Sequence, residues 1–254
     1  MITTAMTGIS EAQAFLETLD KTPPTALTAC TGWTVHELTA HVAAGADEIA
    51  RLVEAYGEGL AVPETRGFEE REAPYRDLPD AKLRQHLFAA SGRMLKALGV
   101  VLSGESDAVV PFTGMPFTAS TFAMHSRSEL ALHRWDIVGD DELSESFLSQ
   151  PELTQHAVEV MGDLLLRRGC AQNRISTTFA ARLRVAGSVD VVVAYRDGVA
   201  TLEFSSDADA PAVETAAASR LLLLWGRRPS NPSRVRSTLP AGDLPRLQRL
   251  LSGF

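Results

Sequence analysis

At 254 residues the chain exceeds the usual size of one domain, so two domains are the better reading. With 45% hydrophobic and 22% charged residues it can bury a sizeable core, which excludes an intrinsically disordered chain. The 24 Lys and Arg against 32 Asp and Glu give a formal charge of -8, and this excludes a global basic footprint for nucleic acid or an anionic membrane.

Cys30 and Cys170 are the only cysteines. They are too few for a disulfide framework and form no Cys-x-x-Cys pair, which suits a reducing cytoplasm. The start, Met1 to Met6, lacks the basic region and apolar run of a signal peptide, and the longest apolar tract, Leu221 to Trp225, is far too short to span a bilayer. A cytoplasmic protein without membrane insertion is expected.

Apolar residues recur at three- and four-residue intervals through the first part, with breaks where Gly and Pro cluster. A short helix is expected from Ser10 to Leu19, ending before Pro23-Pro24. Thr34-Val35-His36-Glu37 is a capping box, whose Thr and Glu side chains satisfy orphan N–H groups at a helix start, and its helix should run to about Tyr56. A polar loop containing Gly57, Gly59, Pro63, Gly67 and Pro74 follows. Pro79-Asp80 opens a third helix through Leu83, Leu87, Met94 and Leu98, and Thr118-Ala119-Ser120 caps a fourth that stops near Gly139. Four such helices predict a bundle.

The segment from Gly139 to Gln150 is acidic and polar, and the domain break is placed near residue 150, giving domains 1–150 and 151–254. Pro151 then begins a helix carrying Leu153, Val158, Met161 and Leu165. Val189 to Tyr195 and Val199 to Phe204 are β-rich runs around Arg196-Asp197-Gly198, a hairpin signal, and Thr177 to Val185 is a partner strand. After Asp209-Ala210-Pro211 an Ala/Leu-rich helix is expected to reach Trp225, ended by Gly226-Arg227-Arg228-Pro229, and Leu244 to Leu251 gives a last short one. The fold class is therefore α+β, a helical bundle followed by a smaller α+β domain.

In the fourth helix Glu129 and His133 stand one turn apart, where a carboxylate and an imidazole can converge on one cation; taken alone, the spacing is more often a solvated ion pair or hydrogen bond. His41, beside the core-facing Leu38 and Val42, adds a third donor from a second helix. Two His and one Glu leave a fourth position open, the composition of a catalytic zinc site, although other divalent metals accept these ligands. His125 is either an extra ligand or a supporting or surface histidine, and Asp136 either orients a ligand imidazole or pairs with a surface cation. Trp33 and Trp135 read as core aromatics, Cys30 as an inert buried thiol, and His36, His86 and His156 as helix-surface residues. There is no Gly-x-Gly-x-x-Gly, phosphate-binding Gly-x-x-x-x-Gly-Lys-Ser/Thr, Gly-x-Ser-x-Gly or His-Glu-x-x-His motif.

Gly32-Trp33-Thr34 followed by His41-Val42-Ala43, with the later Glu129-x-x-x-His133-Arg134-Trp135-Asp136, resembles the mycothiol-dependent maleylpyruvate isomerase family. The resemblance implies a DinB-like metal-binding four-helix bundle and a sterol-carrier-like α+β domain, with metal ligands at His41, Glu129 and His133. It also implies two functional arginines. Their counterparts are Arg66, within Pro63-Glu64-Thr65-Arg66, and Arg227, within Gly226-Arg227, which would hold substrate or thiol cosubstrate; for Arg227 or Arg228 a plain helix C-terminal charge is an equal reading. The thiol it implies is mycothiol, the small thiol of actinobacteria, acting on a small-molecule electrophile as a cis-trans isomerase or an S-transferase. A carrier of a hydrophobic molecule and a metal-dependent hydrolase on the same scaffold are the alternatives.

Overall fold

The computed structural model describes residues 9–104, 108–206, 209–228 and 235–252; the expectations for Met1 to Met6 and for Pro229 lie outside them. The chain divides into two compact units, Met1–Val138 and Gly139–Phe254. That division lies at the start of the Gly139 to Gln150 segment. Gly139 takes a φ of 74°, the left-handed conformation that ends a helix, and the acidic stretch after it is not a linker. There the Asp141 side chain accepts from the Ser144 N–H and opens a helix, α6 (Glu142–Leu148), that buries Phe147 and Leu148.

Four long helices form the first unit. In α1 (Glu11–Lys21) the Ser10 hydroxyl accepts from the Gln13 N–H, and in α2 (Val35–Gly57) Thr34 and Glu37 complete the expected capping box. α4 (Asp80–Gly104) and α5 (Ala119–Val138) complete the set. Phe15, Leu19, Val35, Leu38, Ala40, Ala43, Leu83 and Leu87 make a contiguous core. Each large side chain among them contributes about 1.5–3 kcal/mol by leaving water. By length and composition α4 could cross a membrane; 33% of its apolar window is buried, and Leu83, Leu87, Met94 and Leu98 are among the buried residues of the helix.

Two elements were not legible as such. Within the expected polar loop lies α3 (Phe68–Arg76), which carries Pro74 and little apolar periodicity yet buries Arg71 and Glu72. Between α4 and α5, β1 (Val109–Phe112) and β2 (Met115–Thr118) pair as a hairpin. Its turn residues Thr113 and Gly114 both have positive φ, as a two-residue turn matched to strand twist requires. Strands this short, containing Pro111 and Pro116, leave no readable alternation.

In the second unit α7 (Pro151–Gln155) passes through a π-turn at His156–Val160 into α8 (Gly162–Asn173). His156 is buried there rather than on a helix surface, and His36 is half-buried, with Nε2 against the Arg76 carbonyl at 3.0 Å. Strands β3 (Phe179–Arg184), β4 (Asp190–Arg196), β5 (Val199–Ser205), β6 (Ala212–Thr215) and β7 (Val235–Ser237) form one sheet in the order β5-β4-β3-β6-β7. β3 and β6 are parallel, with Leu183 opposite Val213, and the other pairs are antiparallel. Residues 212–215, expected to be helical, are strand: they complete the sheet before α9 (Ala217–Leu224), against which α6 packs. Tertiary pairing here overrides the helix propensity of an Ala-rich run. The last helix, α10 (Asp243–Leu250), closes on α8 at Gly169, where any side chain would run into the Leu250 carbonyl.

Candidate metal centre

Three side chains from two helices converge inside the first unit. His41 comes from α2, and Glu129 and His133 come from successive turns of α5. Their ligand atoms all lie within 4.8 Å of one another. Glu129 Oε2 is 3.5 Å from His41 Nε2 and 3.3 Å from His133 Nε2. The rings themselves meet edge to face, with centroids 5.1 Å apart.

Both imidazoles are anchored on the far nitrogen. His41 Nδ1 is 2.8 Å from Glu72 Oε1, and His133 Nδ1 is 2.8 Å from Asp136 Oδ2. An ionised carboxylate can only accept, so each Nδ1 carries a proton. With Nδ1 so held, Nε2 is the atom that faces Glu129; there it donates to the carboxylate, and on giving up that proton it would offer its lone pair to a cation, the orientation in which carboxylate-anchored histidines bind metals. Glu72 and Asp136 are themselves buried, which fixes both anchors.

The electrostatics have one origin. Burial opposes charge on Glu129, yet its hydrogen bonds with His133 and His41 hold the carboxyl well below the usual range. Burial likewise disfavours charge on His133, but Asp136, Cys30 and Glu129 together push it well above that of a free imidazole. A group of one anion and two anchored imidazoles, with Glu129 a quarter exposed, fits a divalent cation with one side open. The donor chemistry is that of a catalytic rather than a closed site.

One residue that sequence reasoning missed stands beside this group. Arg71 of α3 is 6% exposed, and among the described residues its Nε has no hydrogen-bond partner and its nearest carboxylate, Glu72, is 4.0 Å away. Its guanidinium lies 4.5 Å over the Phe68 ring, and Phe68 stacks on His41 at 6.0 Å. Burial lowers its pKa, while Glu72, Glu129 and Glu48 pull it back. The signal for it was hidden, since α3 looked like loop.

The other expected residues fall as follows. Arg66 is engaged: its Nε donates to Glu48 Oε2 at 2.7 Å, its backbone N–H to Glu48 Oε1 at 2.8 Å, and Asp47 lies at 3.4 Å. Arg227 belongs to the second unit, half-buried after α9, and its Nη1 donates to the Trp225 carbonyl at 3.0 Å; Arg228 is exposed. His125 is buried against Phe112 and Phe117, outside the three-donor group. Asp136 orients His133. Trp33, half-buried, packs 5.2 Å from His41, and Trp135 is buried. Cys30 is partly exposed rather than buried, and its Sγ donates to Asp136 Oδ2 at 3.2 Å.

A helical bundle that buries a two-histidine, one-glutamate group, joined to an α+β unit, defines the class of protein. The chain belongs to the family described as mycothiol maleylpyruvate isomerase N-terminal domain, whose model matches residues 6–138. Two solved structures share its fold, each over 91% of this chain and 90% of its own. One is a histidine-to-alanine mutant of the mycothiol-dependent maleylpyruvate isomerase, at 15% identity with a TM-score of 0.67. The other is the mycothiol-dependent maleylpyruvate isomerase itself, at 16% identity with a TM-score of 0.63. No curated protein matches the chain significantly.

Proposed function

We propose that this chain is a metal-dependent enzyme that uses mycothiol against an activated small-molecule electrophile, as a cis-trans isomerase or a thiol S-transferase. The observation that carries the reading is the convergence of His41, Glu129 and His133 with both Nδ1 atoms tied to carboxylates. The family membership supports the choice of thiol. A divalent ion held there, zinc being well suited to these donors, supplies the Lewis acidity that lowers the pKa of an incoming thiol near neutral pH.

The chain's own residues do the rest. Glu72 and Asp136 keep the imidazoles from turning, so Nε2 stays directed at the cation position. Cys30 contacts Asp136, on the far side of His133 from Glu129 Oε2, so the reacting sulfur is better supplied by a cosubstrate than by the chain. Arg71, desolvated and with a free Nε, receives a substrate carboxylate or the developing enolate. In the isomerase course, a C–S bond forms at one alkene carbon and the electron pair moves onto the conjugated carbonyl. The resulting single bond rotates, and the returning pair expels the thiolate to leave the trans alkene. In the transferase course the adduct is protonated and leaves with its sulfur.

The test incubates metal-loaded protein with mycothiol and a panel of cis-configured, carboxylate-bearing electrophiles, followed by NMR for geometry and by mass spectrometry for adducts. Thiol-dependent turnover is expected. Turnover without thiol would replace this reading with hydrolysis, and tight binding of a hydrophobic molecule without turnover would replace it with a carrier.

A further inference from the structure

On the side of His133 away from Glu129 a second set of donors is assembled. Cys30 Sγ, Asp136 and the His133 imidazole all lie within 4.8 Å of one another. Asp136 Oδ2 is shared, at 3.2 Å from the sulfur and 2.8 Å from Nδ1. The geometry points to a second cation position here, a rear site that takes thiophilic divalent ions through Cys30 Sγ, Asp136 and His133 Nδ1.

Three features argue for it. A thiolate, a carboxylate and a neutral imidazole around a divalent ion sum to zero charge, which favours binding in a place where His133 and Asp136 are almost fully buried. The group at Glu129 has one anion and two neutral donors, so it retains a positive charge until an anionic ligand joins. Sulfur is the soft donor in the rear group and is absent from the front one, so Cd2+ prefers the rear while harder ions prefer the front. Cys30 is partly exposed, which gives an ion its entry.

The two positions exclude each other. In the front arrangement the His133 proton sits on Nδ1, facing Asp136. An ion at the rear takes the Nδ1 lone pair, so the ring proton must move to Nε2, and the thiol proton goes to solvent. His133 then has no lone pair for the front position. A thiophilic ion at the rear therefore unseats the front metal without touching His41 or Glu129. This exclusion, but not the rear site itself, rests on the front reading proposed above.

The probe is Cd2+, titrated into chelator-stripped protein while the thiolate-to-cadmium charge-transfer absorption is followed in the ultraviolet. One equivalent should produce the band in the wild type and in Glu129→Ala, which lacks a front ligand. Cys30→Ser, whose hydroxyl can still donate to Asp136, should lose the band, as should Cys30→Ala; Cys170 remains in both as the internal control. Zinc-loaded wild type should release its zinc as the band grows and hold one ion per chain throughout. No band in folded wild type, or a band of full size in both Cys30 variants, would overturn the rear site. Two ions per chain, with the zinc retained, would overturn the exclusion alone, and loss of zinc binding in no front variant would count against the front reading while leaving the rear site standing.

Discussion

The two units bury polar groups in opposite ways. In the first, Glu48, Arg71, Glu72, His125, His133 and Asp136 are all buried, drawn from α2, α3 and α5. Among the described residues both three-donor groups lie in this unit. In the second, the core is apolar sheet and helix, with Leu183, Val191, Val193, Val213 and Leu221 fully buried. Its buried Arg220 donates to the Val189 carbonyl at 2.8 Å and the Ser188 hydroxyl at 3.2 Å, where it braces the β3–β4 turn, although its Nε, like that of Arg71, has no hydrogen-bond partner among the described residues. Buried arginines in the two units are held differently: the Arg71 guanidinium lies on an aromatic face with a carboxylate 4.0 Å away, whereas Arg220 hydrogen-bonds a carbonyl and a hydroxyl. Buried charge that its neighbours close upon stabilises a fold, whereas buried charge left open on one side is arranged for something that arrives later.

The largest way to test this contrast is to remove the first unit's ligands. His41→Ala, Glu129→Ala and His133→Ala, made in a Cys30→Ser background so that no ion is counted at the rear, should each lose nearly all bound metal by elemental analysis. His125→Ala should lose far less. Full occupancy in all three would return the group to an ordinary buried ion-pair network. A step smaller, Glu72→Ala and Asp136→Asn leave the ligands in place but free the rings to turn. These should weaken metal affinity about 10- to 100-fold. Unchanged affinity in both would mean that the carboxylate anchors are structural only.

How far this was readable in the sequence differs along the same line. The helices α1, α2, α4 and α5 announce themselves through caps and periodic leucines, and the Asp197-Gly198 turn with its two strands does the same. His41, Glu129 and His133 were legible because two of them sit one helical turn apart and the third follows a recognisable Gly-Trp-Thr segment. Arg71 and Glu72 were not. They lie on a short helix with a proline inside it, and what matters about them is burial where α3 packs on α2, a tertiary property that no local pattern carries. Arg66 shows the converse: its motif was visible, but the Glu48 carboxylate that occupies it comes from α2, eighteen residues away.

That pairing separates the two arginines. Arg71→Ala should change little in metal content and should raise KM or lower kcat for carboxylate-bearing substrates by about 10- to 100-fold, a loss of about 1.5–3 kcal/mol for a charged hydrogen bond. Arg66→Ala should act first on stability. Glu48 shows why: burial pushes its carboxyl up, but Arg51 and Arg66 pull it down further, from 4.5 to about 2. A carboxyl depressed in the folded state stabilises the fold above the unfolded value and loses that contribution as pH falls from about 4.5 toward 2. Glu48→Gln should therefore cost about 2–3 kcal/mol at neutral pH and flatten the acid limb of a urea-denaturation series. A Glu48 variant with the wild-type acid limb would show that the pair contributes little, and an Arg66→Ala enzyme of full stability but low activity would restore the role first read for Arg66.

The smallest expected effect lies in the second unit, where the contrast is most exposed to failure. Arg227 is half-buried and donates from Nη1 to the Trp225 carbonyl, while its neighbour Arg228 is exposed. If Arg227 binds anionic substrate or mycothiol, as the resemblance implies, Arg227→Ala should lower turnover several-fold more than Arg228→Ala, with thermal midpoint and metal content unchanged. Arg227→Lys should recover little, because a point charge does not reproduce a planar fork on a carboxylate. If instead both alanine variants behave alike, or Arg227→Ala loses activity only in proportion to its stability, the guanidinium is a brace for the end of α9. Arg227 would then follow the pattern of Arg220, a guanidinium held to a nearby backbone carbonyl, and the substrate-directed charge would belong to the first unit.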